Sequence, residues 1–288
     1  MTELRCVSLA LASVTALALV ATAVAGSSPI DDATLEAAGG DATFDAENLS
    51  DGCGAAVENE CYFTPVEDGT AFGDSDAFDG GLALTVNGKG FVDPDENGDL
   101  SGQQLTVGPV TLAGLKVTRV ERALEGSPTL RTLIKVKNTK KQTLRRTLGL
   151  ISDLGSDSDT RFLGSSSGDL AFGKADRWVV TADHATTADD PPVTSVFYGK
   201  GKPRVKLASG TAIQGVDNLD ASFDVRLKRR ASGYLLLFTE LSEENADAVA
   251  GTAKFNRRKL NSDLKTGLSK KVQKKILNWD LAKRKGKK

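Results

Sequence analysis

Oxygen-bearing side chains recur at alternate positions through Asp93-Pro94-Asp95-Glu96-Asn97-Gly98-Asp99-Leu100-Ser101, with glycine at the sixth position. Calcium is bound by several hard oxygen ligands, and a loop that wraps it needs a sharp turn at that glycine. The chemistry on offer is therefore a weak extracellular Ca2+ site built from Asp93, Asp95, Asn97, Asp99 and Ser101. A metal-free acidic turn is the competing reading, because turns collect Asp, Asn and Gly in any case. Cys53 and Cys61 form a second pair with chemistry, with seven residues between them in a Gly-containing acidic segment. In an oxidising compartment they read as a disulfide, worth about 2.5 kcal/mol for so short a loop. Metal binding by the pair is weaker, since no histidine lies near.

Catalytic chemistry has little to draw on. The chain has one histidine, His184, placed where a strand runs into a loop before Pro191-Pro192, and no G-x-S-x-G elbow. Three-histidine zinc chemistry and H-E-x-x-H are excluded. A two-carboxylate glycosidase stays open, although Glu121 and Glu240 are nominated only as acids in or beside strands.

The window from Asp93 to Gln104 resembles the calcium loop of EF-hands and dockerin repeats. It departs from them in having Gln104 at the twelfth position, where the family has a bidentate Glu, and Asp99 at the seventh. Strands rather than helices flank it. A separate run from Leu154 to Asp183, with LGSDSDT, SSSGD and ADRWVVTAD, together with ILNWD at 276–280, is similar to uncharacterised exported bacterial β-sandwich proteins. That resemblance implies export and a sandwich, and supplies no site residue.

Period two dominates the elements that must position these groups. Leu82, Leu84 and Val86 alternate with small or polar residues, as do Leu115 and Val117, then Leu130, Ile134 and Val136, then Leu144, Leu148 and Leu150. Further strands follow at 177–181, 193–198, 219–227 and 233–241. Leu235-Leu236-Leu237-Phe238 reads as a central strand covered on both faces. The polar loop 138–142 has hairpin length, and the acidic run 153–159 is turn-rich. Without crossover helices, ten or so strands predict a mainly β fold, an antiparallel β-sandwich. Two C-terminal helices are expected, one capped by Ser242 and one starting near Ser269 with Val272, Ile276 and Trp279 on a single face. Lys270, Lys271, Lys274 and Lys275 form the solvated face of the second, or a surface for a membrane or acidic glycan.

Residues 1–25 read as a signal peptide: Arg5, an apolar run over 7–24, and Ala23-Val24-Ala25 before Gly26. Cys6 would leave with it, and no membrane span would remain. A retained anchor is the competing reading. Residues 26–52 read as a flexible acidic spacer with a short helix near 33–38, residues 53–282 as one sandwich domain, and 283–288 as a mobile basic tail. From 26 to 115 there are eighteen acids and one basic residue, Lys89, for a charge of −17; residues 116–288 hold nineteen acids and thirty-five Lys and Arg, for +16. Opposite halves attract, so the plain expectation is that the acidic half docks on the basic half and screens its field.

Two function classes follow for a secreted or envelope-associated chain. The first is a non-catalytic sandwich with a binding or structural role, its partner an extracellular glycan or an anionic envelope polymer. The alternative is a carbohydrate-active protein, whether a sugar-binding module or a hydrolase, and it needs exposed aromatics among Trp178, Tyr198 and Tyr234. Nucleic acid is not expected, because the basic half lacks interleaved aromatics.

Overall fold

A computed structural model describes residues 28–29, 33–36, 41–46, 56–57, 60–61, 65–92, 97–184 and 190–281. The protein is an antiparallel β-sandwich with short C-terminal helices. One sheet has nine strands, in the order Ser28–Pro29, Asn97–Ser101, Gln104–Leu112, Leu115–Ala123, Thr129–Asn138, Ser232–Leu241, Val193–Val196, Trp178–Ala182 and Arg161–Ser165. The second large sheet has six, in the order Phe172–Gly173, Leu207–Ala212, Asn218–Leu227, Leu144–Asp153, Gly80–Val86 and Lys89–Gly90.

The side-chain period of two sorts each strand into faces. Inward residues Leu84, Leu148 and Phe223 from the six-stranded sheet meet Val117, Ile134 and Leu235 from the nine-stranded one in the main core. The nine-stranded sheet is covered on its outer face as well. Leu236 and Phe238 point there, against Phe255, Leu264 and Trp279 of the C-terminal layer. Leu235 to Phe238 are all fully buried, as a strand apolar at every position requires. The Phe238 ring meets Trp279 edge-on at 5.6 Å and Phe255 at 5.5 Å, geometries that add to the burial itself.

The C-terminal layer departs from the helices expected. The first helix is Asn245–Gly251, capped at Glu244 without a side-chain bond. Ser242 is buried at the strand end, its N–H donating to Pro192 O at 3.1 Å. Ser269 does cap the second helix, accepting from Val272 N at 3.3 Å, but that helix is only Lys270–Gln273. Ile276 is buried instead from a parallel bridge to Tyr234, and Trp279 from irregular backbone. The chain leaves the helix to pair with the strand Ser232–Leu241: Tyr234 N–H donates to Lys275 O at 3.1 Å and Leu277 N–H to Tyr234 O at 2.8 Å, and Asn278 completes a ladder where the strand Val193–Val196 stops, its Oδ1 accepting from Leu236 N at 2.9 Å and its Nδ2 donating to Leu236 O at 2.8 Å and Phe197 O at 2.7 Å. Trp279 lies so close to Gly199 that any side chain there would strike its ring. The lysines Lys270, Lys271 and Lys274 are exposed, the solvated face.

Two further expectations are corrected. Within 26–52, read as a spacer with a helix, Ala33–Glu36 and Ala42–Ala46 are strands that pair with each other and with Asp68–Ala71. Leu35 and Phe44 are fully buried in the main core, so pairing and burial override the helix propensity of Ala, Leu and Glu. The loop 138–142 joins strands of different sheets, because Thr129–Asn138 pairs with Ser232–Leu241 while Leu144–Asp153 pairs with Asn218–Leu227. It is a corner of the sandwich rather than a hairpin.

Candidate functional site

That corner organises one end of the molecule. Asn138 closes its strand fully buried. Its two Nδ2 hydrogens serve three carbonyls, Gln142 O at 2.7 Å, Lys228 O at 3.0 Å and Leu227 O at 3.1 Å, while Oδ1 accepts from Lys140 N at 2.8 Å. Thr139 donates to Gly114 O through both its N–H and its hydroxyl, at 3.1 and 2.8 Å, and Arg146 Nε donates to Ala113 O at 2.6 Å. Three loops far apart in sequence, 112–115, 138–144 and 227–232, are thereby fixed together.

This end is strongly basic. The loops expose Lys140, Lys141, Lys228, Arg229 and Arg230. On the outer face of the nine-stranded sheet, Lys116 stands directly opposite Lys137; on the outer face of the six-stranded sheet, Arg145 stands directly opposite Arg226. Like charges directly opposite on a ladder destabilise it. Both pairs are exposed, and each flanks the same loops. Beside the arginines, Asn87, Arg145, Arg146, Thr147, Asp224 and Arg226 line a groove of about 240 Å3. Asp224, the one carboxylate among those residues, accepts from Thr147 Oγ1 at 2.8 Å.

Acids gather at the opposite end. Burial there holds the Asp79 carboxyl above its ordinary range, and the charges of Asp76, Asp157, Asp68 and Asp217 push the same way. Asp68 is raised too, by burial, against the backbone N–H groups of Gly69, Phe78 and Asp76 that favour its charge. Leu144–Asp153 runs from one end to the other, about 30 Å at the usual rise per residue. The Debye length in physiological salt is about 8 Å, so the acids described around Asp79 do not screen the basic loops. The amino-terminal half does pack on the carboxy-terminal one, Gly80–Val86 pairing with Leu144–Asp153, while the described acids around Asp79 lie away from the basic loops.

The residues nominated from sequence lie elsewhere. Asp93, Asp95 and the side chains of Asn97, Cys53 and Cys61 are outside the described residues; the backbone of Cys61 belongs to the short strand Glu60–Cys61. Asn97, Asp99 and Ser101 lie in the strand Asn97–Ser101, extended where the calcium-loop resemblance implied a wrapped loop. Asp99 and Ser101 are exposed, and among the described residues no group of three or more acids, histidines or cysteines is arranged for a metal. His184 is 46% exposed beside Asp183. Glu121 is fully buried, ion-paired with Arg119 and accepting from Thr132 Oγ1 at 2.5 Å, and Arg119 Nη1 in turn donates to Leu82 O across the sandwich. Glu240 pairs with Lys254 and accepts from Thr129 Oγ1 at 3.0 Å. Each of these acids is tied to a cation inside the structure. Trp178 and Tyr198 are buried, with Nε1 donating to Asn256 Oδ1 at 3.1 Å and OH donating to Ala175 O at 2.8 Å, and Tyr234 is half-buried. No described helix is long and apolar enough to cross a membrane.

No protein-family model matches the chain, and no curated protein matches it. Among solved structures, it is similar to a galactose mutarotase-like protein from Lactobacillus casei, with 10% identity over 74% of this chain and 100% of that one, TM-score 0.44. It is also similar to a galactose mutarotase related enzyme from Lactobacillus acidophilus, at 8% identity over 74% and 98%, TM-score 0.40. A third similarity is to a heparan sulfate lyase from Pedobacter heparinus, at 12% identity over 71% of this chain and 33% of that one, TM-score 0.42. These are sheet-rich, carbohydrate-related proteins, and likeness at such scores assigns no activity.

Proposed function

We propose that this chain is an exported, non-catalytic β-sandwich protein that binds an anionic polymer outside the cell, an acidic glycan or envelope polymer, through the basic end. The observation that carries the reading is the convergence of two like-charge cross-strand pairs, one on each sheet, on three loops that add five exposed cations. Such pairs cost the fold stability, and a bound polyanion offsets that cost. The loops 112–115, 138–144 and 227–232 contain no aromatic residue, so they offer backbone-charge recognition without base stacking. Export rests on the leader at 1–25, and a Ca2+ ion at Asp93 to Ser101 and a Cys53–Cys61 disulfide would suit the compartment it leads to.

The test is calorimetric titration of the mature protein with a sulfated polysaccharide and with neutral dextran, at low and at physiological salt. Binding of the sulfated polymer alone, weakening with salt, supports the reading. Equal binding of both polymers, or of neither, overturns it.

A further inference from the structure

A third like-charge pair sits at the other end of the Lys116 and Lys137 ladder, where Arg122 stands directly opposite Arg131. Arg131 is only 2% exposed. Neither arginine has an ion-pair partner among the described residues. Arg131 Nη1 donates to Thr266 O at 2.5 Å and, at the limit of hydrogen bonding, to Leu264 O at 3.5 Å; its buried Nε finds no acceptor. Burial, and then the charge of Arg122, pull its pKa down to about 10, which leaves it a cation at neutral pH. A buried charge is ordinarily paired.

The loop that follows the 3-10 turn Asp263–Lys265 closes over the pair. Gly267 has φ +75°, and a Cβ there would stand 2.9 Å from Arg122 Nη1, so glycine lets the loop approach the guanidinium. Between them lies a pocket of about 150 Å3 lined by Arg122, Leu124, Glu125, Asp263 and Thr266. Asp263 Oδ1 already accepts from Ser262 Oγ at 3.0 Å. The lining is therefore mixed, Arg122 with the buried Arg131 opposite it on the ladder, together with the two carboxylates of Glu125 and Asp263. A bare oxyanion meets attraction and repulsion together. A molecule with a carboxylate and hydroxyl donors satisfies both kinds of group.

We infer that this pocket binds a small hydroxy acid, its carboxylate on Arg122 with the Arg131 charge behind it and its hydroxyls donated to Glu125 and Asp263. The site is separate from the basic end and does not depend on it. The probes are glucuronate, glucose and inorganic phosphate, titrated calorimetrically into the full chain and into Arg122→Gln, a substitution at a half-exposed position that leaves the core untouched. Glucuronate should bind, glucose should not, and Arg122→Gln should weaken glucuronate by about 10- to 100-fold, the loss expected for a charge-assisted contact. Charge reversal at Lys137 and Arg226 should leave glucuronate binding unchanged, so this site and polymer binding fail separately. Phosphate binding as tightly as glucuronate, glucuronate binding unaltered in Arg122→Gln, or no binding of glucuronate would each overturn the inference.

Discussion

Reversing one member of each like-charge pair at the basic end should move stability and binding in opposite directions. In Lys137→Glu/Arg226→Glu, the Lys116 and Arg145 partners stay in register, so two repulsive cross-strand pairs become attractive. A directly opposed pair is worth roughly 0.2–1 kcal/mol, and exposure to solvent keeps the figure toward the lower part of that range. Exchanging repulsion for attraction then gains about 0.5 kcal/mol per pair, or about 1 kcal/mol for both, which for a chain of this size raises Tm by about 2–4 °C. Polyanion binding should fall by more than tenfold, because losing about 1.4 kcal/mol of contact energy already costs that factor and four units of charge are changed. Thermal melts at low salt and titration with a sulfated polysaccharide read the two effects on one sample. High salt should erase most of the gain in Tm. A double variant that melts below the parent, or one that binds the polymer as tightly, would refute the reasoning that these pairs are held for an anionic partner.

Asn138→Ala should destabilise by about 1–3 kcal/mol in urea unfolding, because it strips the buried Leu227 carbonyl and the half-buried carbonyls of Gln142 and Lys228 of their donor; a loss within error of zero would remove Asn138 as the organiser of the basic end. Asp68 and Asp79 have raised folded-state pKa values, so the folded chain holds more protons than the unfolded one between the ordinary carboxylate pKa and the raised values. Stability from these two groups therefore falls as pH rises through that window, the penalty being full above it and absent below it. Asp79→Asn should raise Tm at neutral pH and shrink the difference from the parent in acid, and an unchanged or lower neutral Tm would contradict this. Millimolar calcium should raise Tm over chelator, by about 1.4 kcal/mol of stability at ten times Kd, and Asp95→Ala should erase the difference; identical melts would leave Asp93 to Ser101 an acidic turn. Thiol labelling of the exported, non-reduced protein should leave Cys53 and Cys61 unmodified, and labelling of both would exclude the disulfide.

Sandwich, strands and double-sided core were legible in the sequence because they follow from a local signal, the two-residue period, which Leu235 to Phe238 break only where both faces are covered. Reading failed where local pattern and tertiary partner disagree. Val272, Ile276 and Trp279 keep a helical spacing, yet the helix stops at Gln273 and the chain instead partners a strand, Ile276 bridging to Tyr234 and Asn278 bonding Leu236. Loop 138–142 has the length of a hairpin, and only the pairing of its flanking strands shows that it turns a corner between sheets. The basic end was illegible for a similar reason. Its cations come from positions between 116 and 230, and register alone sets Lys116 against Lys137 and Arg145 against Arg226. Charge counted by halves pointed to mutual docking, and a count along the chain does not reveal that the acids around Asp79 lie away from the loops that carry Lys140, Lys228 and Arg230.

Hydrogen exchange of the protein with and without a sulfated polysaccharide tests the central claim most directly, because backbone amides report where the polymer sits. Protection confined to the loops 112–115, 138–144 and 227–232 and the strand residues beside them is the predicted result. Protection elsewhere on the molecule, or none at a polymer concentration that saturates binding, would contradict the account.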